Sequence, residues 1–455
     1  MSADLVLSID LGSSWCKAAY VDRQGQIVAE GRARTREISE RSDTSLEQFW
    51  QALITAVRLT NASLPSERFP DAIGLSCRGL FGICLDQDGR GFIPSYDILS
   101  TKSSSDVTTA YKSDAWGNDD PYAFGYTVRV AGLLAGLRRT SPREWRRIHR
   151  VGSLHDYLVY RLSGAWVTDP ATGPNMLQWP AGLMGISGLP LDAFPVIQHP
   201  WQVAGGLSPR VATALGLPEN TPVVVGLHDG AAANIGTGAV NPGDACLTLG
   251  TNFALRVVTG ERPKTDCFGY VVAPDRWAWV NSVSKAATRL DVVADTLLDD
   301  SSLGEKHRLL GAFAADVPPT GLAPLPLLDN VESLSVAVSD AVRRGYTPGE
   351  IYRSVLQVIA SGVSGLVGSA REDGASATRY VATGGGVHNR ELVRTLAETL
   401  GAPIQVGHAE AGILGAGMVA AIGAGWFPTL AAAWDAMGSP PLSVSPDHQV
   451  TVVNS

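Results

Sequence analysis

What this chain lacks narrows it first. It has no surplus of positive charge: 36 Lys and Arg stand against 44 Asp and Glu, a net charge of −8. Neither nucleic acid nor an anionic membrane surface is therefore expected as a partner. The one basic run, Arg138, Arg139, Arg143, Arg146, Arg147 and Arg150, is spaced along an expected helix and reads as its solvated face. Cysteine is scarce and odd in number, at five, with no C-x-x-C pair. Cys16, Cys77, Cys84 and Cys246 lie inside apolar runs, which points to reduced core thiols of a cytoplasmic protein rather than to a disulfide framework or a zinc site. No apolar run reaches the about 18 residues a membrane span needs; the richest, 355–368 and 413–426, are broken by glycines. The opening MSADLVLSIDLG lacks the basic segment expected of a secretory signal. No G-x-x-x-x-G-K-[ST] occurs, so P-loop chemistry is excluded.

With 455 residues, 45% hydrophobic and 18% charged, the chain has the balance of a globular protein of two or more domains. Residues 5–9 form an expected strand ending at Asp10. Leu11, Gly12, Ser13 and Ser14 then turn the chain, and 15–21 and 27–34 follow as second and third strands. Ser45 and Gln48 make a capping box before a helix over 46–60. Short strands are expected at 72–76 and 82–85, and a helix at 128–138. Ser141, Pro142 and Glu144 mark another helix start, with a helical pattern continuing over 155–162 to Gly164. Loops rich in proline and glycine fill 168–209.

The stretch 223–252 is the densest in signals. A β-branched run stops at Gly226, His228 and Asp229 head a small-residue helix, and a second strand over 245–249 ends in Gly250, Thr251 and Asn252. The segments around Gly12 and Gly250 are one device used twice: strand, glycine-hydroxyl turn, strand. Two copies, one per half, indicate a duplicated α/β domain, with the halves at 1–240 and 241–455. Further on, Thr347 and Glu350 box a long helix to about 369. A strand at 380–382 runs into Thr383, Gly384, Gly385 and Gly386, and then come a helix at 389–400, a strand at 404–406 and a Gly/Ala-rich helix at 410–423. Gly415, Gly417 and Ala420 match the spacing of a dinucleotide fingerprint. They sit inside a helical run, however, and so read as close helix packing. After Pro440 no pattern is legible.

Glycine lets backbone N–H groups approach an anion, and hydroxyls add donors. Three such loops, each following a strand, suit phosphate binding. Asp10 ends a strand beside one of them, and Asp229 follows a buried-looking strand. Phosphoryl transfer needs neutralised phosphate charge and a group that accepts the nucleophile's proton. Asp229 has a plainer alternative role as a helix N-cap, and His228 reads as a packed neighbour rather than a base.

These residues, in this order, resemble the FGGY carbohydrate kinases, which have the actin-like ATPase fold. The likeness is carried by Ile9-Asp10-Leu11-Gly12-Ser13-Ser14 with Lys17, by Asp156-Tyr157-Leu158 through Arg161-Leu162-Ser163-Gly164, by Gly226-Leu227-His228-Asp229 and Leu249-Gly250-Thr251, and by Thr383-Gly384-Gly385-Gly386-Val387-His388-Asn389. The helix from Glu410 resembles the family's closing helix, and the likeness spans nearly the whole chain. It implies an α/β fold of two duplicated actin-like (ribonuclease H-like) domains flanking a nucleotide cleft, with the sugar site mostly on the N-terminal domain. It implies ATP and Mg²⁺, with Asp10 near the metal and Asp229 as general base. Gly12, Ser13, Ser14 and Lys17 would face the phosphates, Gly250 and Thr251 the γ-phosphate, and Gly384, Gly385 and Asn389 the adenosine part. Arg78, Ser100 and Lys102 would stand at the acceptor.

Three departures stand out. Where many members carry Trp-x-Asp-x-Arg to hold the sugar, this chain has Ile98-Leu99-Ser100-Thr101-Lys102. Arg78-Gly79-Leu80 follows the Ser76 strand in place of the usual polar side chains. Ser282-Val283-Ser284-Lys285-Ala286-Ala287 stands where a Gly-Gly pair often lines the nucleotide. The expected activity is ATP-dependent phosphorylation of a hydroxyl on a small ketose, polyol or aldonate (sugar acid) by a cytoplasmic enzyme, a homodimer being the assembly allowed for. A non-catalytic sugar or nucleotide sensor on the same fold is the alternative, favoured by the departures and opposed by the intact Asp10, Asp229 and Thr251. An actin-like ATPase switch acting on protein partners ranks third.

Overall fold

The computed structural model describes residues 4–12, 14–35, 46–64, 68–79, 81–92, 126–173, 179, 181–263, 269–299, 301–318, 325, 331–438, 442–447 and 450–452. The chain divides into two units. The first comprises Met1–Gly238, Lys264–Asp275 and Gly412–Gly438, and the second Ala239–Pro263, Arg276–Ala411 and Ser439–Ser455.

The first unit starts from the expected meander: β1 (Leu5–Leu11), β2 (Trp15–Asp22) and β3 (Ile27–Arg34), all antiparallel. Helix α1 (Leu46–Ser63) buries Leu46, Phe49, Trp50, Leu53, Ala56, Val57 and Thr60, the stripe of an amphipathic helix. These join Leu7, Ile9, Tyr20 and Leu75 in one core. Each fully buried Leu or Phe there contributes roughly 1.5–3 kcal/mol. The capping residue expected at Ser45 lies outside the described residues. Strand β4 (Ile73–Cys77) then pairs with β1 in parallel.

Between Ser141 and Gly164 the structure corrects the sequence reading, because no single helical run exists there. Pro142–Trp145 makes one turn, and Ser141 forms no side-chain cap bond. The chain then extends as Arg150–Ser153 to pair with Phe81–Leu85. Helix α2 (Leu154–Ser163) starts afresh on a Ser153–Asp156 capping box and ends on Gly164. Burial of Val151 opposite Cys84 in that pairing outweighs the local helical signal. The six arginines therefore share no helix face. Arg138 lies over Trp145, Arg147 over Phe92 and Arg150 over Tyr160, covering aromatic surface with their stems and guanidinium planes.

Strands β5 (Val203–Gly206), β6 (Pro222–Val224) and β7 (Leu227–His228) lead into helix α3 (Asp229–Gly236). The sheet order is β5-β6-β4-β1-β2-β3, with β7 also on β4.

In the second unit, β8 (Asp244–Leu249), β9 (Phe253–Thr259) and β10 (Arg276–Val283) repeat the antiparallel meander. Three helices of this unit carry no start signal read from the sequence: α4 (Ala286–Leu297), α5 (Leu303–Ala314) and Val331–Arg343. The expected long helix is α6 (Pro348–Glu372), with the Thr347–Glu350 capping box formed. By length and composition α6 could cross a membrane, but it serves as the core helix of this unit, burying Ile351, Tyr352, Leu356, Ile359 and Val363.

Strand β11 (Arg379–Thr383) pairs with β8 in parallel, helix α7 (Arg390–Leu400) follows, and β12 (Ile404–Val406) pairs with β11 in parallel. Helix α8 (Ala411–Gly423) then returns the chain to the first unit. Beyond residue 440, β13 (Leu442–Val444) and β14 (Val450–Val452) add antiparallel strands. Three-residue strands are too short to show alternation in a sequence. The order β10-β9-β8-β11-β12 matches β3-β2-β1-β4-β6 in both chain order and direction, so the duplication is real; each sheet then adds an antiparallel outer strand, β13 after β12 in the chain but β5 before β6.

The dinucleotide-like glycines are packing residues. A Cβ on Gly415 would lie 2.0 Å from the Ala232 carbonyl oxygen, so α8 rests directly on the backbone of α3. Cys16, Cys77, Cys84 and Cys246 are buried free thiols, as expected, and Cys267 lies outside the described residues.

Candidate active site

In the first unit the chemistry gathers at one sheet edge. Asp10 stands opposite Lys17 on β2 and opposite Ser76 on β4, and residues facing each other across paired strands project to the same side. The Ser76 hydroxyl donates to Asp10 Oδ1 at 2.5 Å, the short bond expected of a hydroxyl on a carboxylate. One strand further, Leu227 lies opposite Ser76 and His228 opposite Cys77. Asp229 follows immediately, so both acids reach the same edge. The buried Cys77 thiol registers them: burial first, and then the Asp229 carboxylate with a smaller effect from Asp10, push it well above the ordinary thiol range, while Arg78 partly offsets this.

Capping decides what Asp229 can do. The N-cap of α3 is His228, whose Nδ1 accepts the Gly230 N–H at 3.1 Å. A ring nitrogen that accepts carries no proton, so the 3.3 Å approach of Nδ1 to Asp229 Oδ1 is not an ion pair. His228 is a neutral cap packed against Tyr270, with ring centroids 5.1 Å apart, and the plainer reading of Asp229 as the cap falls. The Asp229 side chain is 39% exposed at the first helical position.

The bend that aims it is Gly226, at φ 78°. A Cβ there would lie 2.2 Å from the Leu75 carbonyl oxygen and 3.1 Å from His155 Nε2. Only glycine accepts both the dihedral and the contact.

In the second unit two glycine loops leave adjacent parallel strands together. Thr248 on β8 lies opposite Thr383 on β11. Gly250, Thr251 and Asn252 follow the first strand, and Gly384, Gly385 and Gly386 the second. Gly384 has φ 89°, and its missing Cβ would be 2.9 Å from the Leu249 carbonyl oxygen, so the loops abut backbone to backbone. Thr251 and Gly385 are exposed. Asn389 caps α7, its Oδ1 accepting the Leu392 N–H at 3.2 Å.

The family model for the N-terminal domain of the FGGY family of carbohydrate kinases matches residues 5–236, and that for the C-terminal domain matches residues 271–424. The chain belongs to the FGGY family of carbohydrate kinases. It is similar to the autoinducer-2 kinase of Yersinia enterocolitica, 23% identical over 94% of this chain and 88% of that one. It is also similar to the xylulose kinase of Escherichia coli, 27% identical over 64% of this chain and 62% of that one. Among solved structures, the xylulose kinase of Rhodospirillum rubrum superposes with a TM-score of 0.78 at 22% identity, covering 97% and 94% of the two chains. That likeness carries the actin-like fold. As an FGGY kinase the protein is an enzyme that phosphorylates sugars or polyols, with ATP as the donor the family implies.

Of the site residues read from sequence, Asp10, Gly12, Ser14, Lys17, Arg78 and Asp229 fall in the first unit, and Gly250, Thr251, Gly384, Gly385 and Asn389 in the second. Ser13, Ser100 and Lys102, with the whole stretch 98–102, lie outside the described residues. The departure at 282–287 has a local solution. Lys285 adopts φ 53°, a conformation natural to glycine, while its N–H bonds Asn252 Oδ1 at 2.8 Å and the Ala287 N–H bonds the Thr251 carbonyl at 3.3 Å. This turn thus braces the Thr251 loop at a backbone cost of about 1–2 kcal/mol.

The sequence does not mark Ser76 as the partner of Asp10 or His228 as the cap in place of Asp229. A hydroxyl at a strand end was the only available signal for the first, and a ring nitrogen two residues before Gly230 for the second.

Among the described residues no three His, Cys, Asp or Glu side chains converge to hold a metal unaided. A single carboxylate beside a phosphate loop nonetheless fits Mg²⁺, which keeps water and takes its other ligands from the nucleotide phosphates.

Proposed function

We propose that Asp229 is the general base of an ATP-dependent kinase acting on a small ketose, aldonate or polyol. The reading rests chiefly on the capping geometry: His228 supplies the cap, which leaves the Asp229 carboxylate in the first helical turn for an acceptor hydroxyl. As the hydroxyl oxygen bonds to the γ-phosphorus, its proton passes to Asp229. The bond from phosphorus to the β,γ-bridging oxygen breaks, and ADP departs with that electron pair. Asp10, steadied by Ser76, would hold Mg²⁺ near the phosphates, and the ion supplies charge neutralisation when bound. Gly12, Ser13, Ser14 and Lys17 would donate to phosphate oxygens, as would Gly250 and Thr251 at the γ-phosphate. Gly384, Gly385 and Asn389 would meet the adenosine part. Arg78, with Ser100 and Lys102, would orient the acceptor.

An ATP-consumption screen over ketoses, polyols and sugar acids tests the reading, ketoses first because two of the relatives are xylulose kinases. Asp229→Ala should lower kcat on the best acceptor by about 10²–10⁴-fold and leave ADP binding within twofold. Retained turnover would remove Asp229 from the role. Binding of acceptor or nucleotide with no ATP consumption by the wild type would instead make the protein a sensor.

A further inference from the structure

A hydrogen-bond chain in the second unit, buried at its centre, ends on Asn389. Asn389 Nδ2 donates to the Tyr352 hydroxyl at 2.8 Å. That hydroxyl lies 2.8 Å from His307 Nδ1, and His307 Nε2 lies 2.9 Å from Asp291 Oδ1. The four residues come from the cap of α7 and from α6, α5 and α4. Tyr352 is fully buried, whereas the His307 and Asp291 side chains are 20% and 43% exposed.

The direction of every bond can be worked out from one end. Asn389 Oδ1 is committed to the Leu392 N–H, so the amide nitrogen faces Tyr352 and must donate. Having accepted there, the Tyr352 hydroxyl turns its own proton toward His307 Nδ1, which must then be unprotonated. The His307 proton sits on Nε2, where the Asp291 carboxylate accepts it. Burial pushes the Tyr352 phenol above its ordinary range, so it keeps the proton the chain requires. Among the described residues, the Glu391 carboxylate also bears on the Tyr352 phenol, and Lys306 pairs with Asp295 between α5 and α4. Asn389 is left with one N–H and one lone pair for a ligand.

We propose that Tyr352 and His307, with Asp291 fixing the His307 tautomer, are positioning residues for nucleotide recognition. They lock the Asn389 amide so that its remaining N–H meets a hydrogen-bond acceptor on the adenosine moiety. This rests on the reading of Asn389 as an adenosine contact, and the test separates the two.

MgADP binding is measured by calorimetry for the wild type and for Asn389→Ala, Tyr352→Phe, His307→Leu and His307→Asn, with a thermal melt of each and acceptor KM for Tyr352→Phe. Asn389→Ala should weaken binding at least 10-fold. Tyr352→Phe and His307→Leu should each weaken it about 3- to 10-fold, Tyr352→Phe with acceptor KM and kcat within twofold. His307→Asn, which places an amide oxygen where Nδ1 was, should return to within twofold of the wild type. If Asn389→Ala weakens binding and Tyr352→Phe does not, the positioning role is overturned and the adenosine reading stands. If Asn389→Ala binds as the wild type does, the adenosine reading falls and the positioning role with it. Equal weakening by His307→Asn and His307→Leu, with lowered melts, would mark mere packing and also overturn it.

Discussion

Gly226→Ala isolates the link between backbone geometry and catalysis. The added Cβ would sit 2.2 Å from the Leu75 carbonyl oxygen, against ordinary contacts from 3.4 Å upward. Relief requires either β4 or the segment leading to β7 to move by about 1 Å, and such a misplacement at a catalytic group costs about 10²-fold. Non-glycine residues at φ 78° also carry about 1–2 kcal/mol of strain. Gly164 is the control: its φ is 79°, nearly the same, yet a Cβ there meets nothing within 4 Å. Gly164→Ala should therefore lose about 1 kcal/mol of stability and keep kcat within twofold. Gly226→Ala should lose more stability and about 10²-fold in kcat, close to 2.7 kcal/mol of transition-state stabilisation. The assay is steady-state turnover on the best acceptor from the screen, paired with denaturant melts of both variants. A Gly226→Ala enzyme with kcat within threefold of the wild type would refute the claim that this bend aims Asp229.

Two further outcomes concern stability. Asp169 is fully buried, its Oδ1 accepting the Ala171 and Thr172 N–H groups at 2.8 and 3.3 Å. Burial raises its carboxyl above the ordinary 3.8, partly offset by His155 and by the hydrogen bonds it accepts. A raised native value means the folded state holds the proton longer than the unfolded chain. The stability contributed by Asp169 is then complete below the unfolded value and lost as pH rises through the native one. Asp169→Asn does not titrate, so its melting temperature relative to the wild type should climb between pH 4 and pH 8; a constant difference would contradict this. Arg353, 1% exposed, bonds Glu391, Thr395 and Glu398. Arg353→Met takes a partner from the buried Glu391 carboxylate and should cost about 3 kcal/mol in the unfolding transition of the second unit, and a loss under about 1 kcal/mol would show that Arg394, which also pairs with Glu391, suffices alone.

Much of this protein is legible locally. The meander at 5–34 and its copy at 244–283 follow from alternating apolar residues and glycine-hydroxyl turns. The Thr347–Glu350 box and the long helix behind it also follow from neighbours in sequence. So do the glycine-hydroxyl loops that follow β8 and β11, because a turn is written in consecutive residues. What failed locally failed for one reason. Arg150–Ser153 became a strand because Phe81–Leu85 needed a partner, a demand 70 residues away that helical periodicity could not register. The return of residues 412–438 to the first unit is decided by Gly415 fitting the α3 backbone, a surface match between distant segments. Ser76 meets Asp10 only through parallel pairing, and Asn389 meets Tyr352, His307 and Asp291 only through the packing of four helix segments. The repeated fold and the family are written in short-range patterns and so can be read from the residues alone. Tertiary structure alone decided which groups hold Asp10 and Asn389 in place, because hydrogen bonds between distant segments exist only once strand order and helix packing have brought them within 3 Å or so.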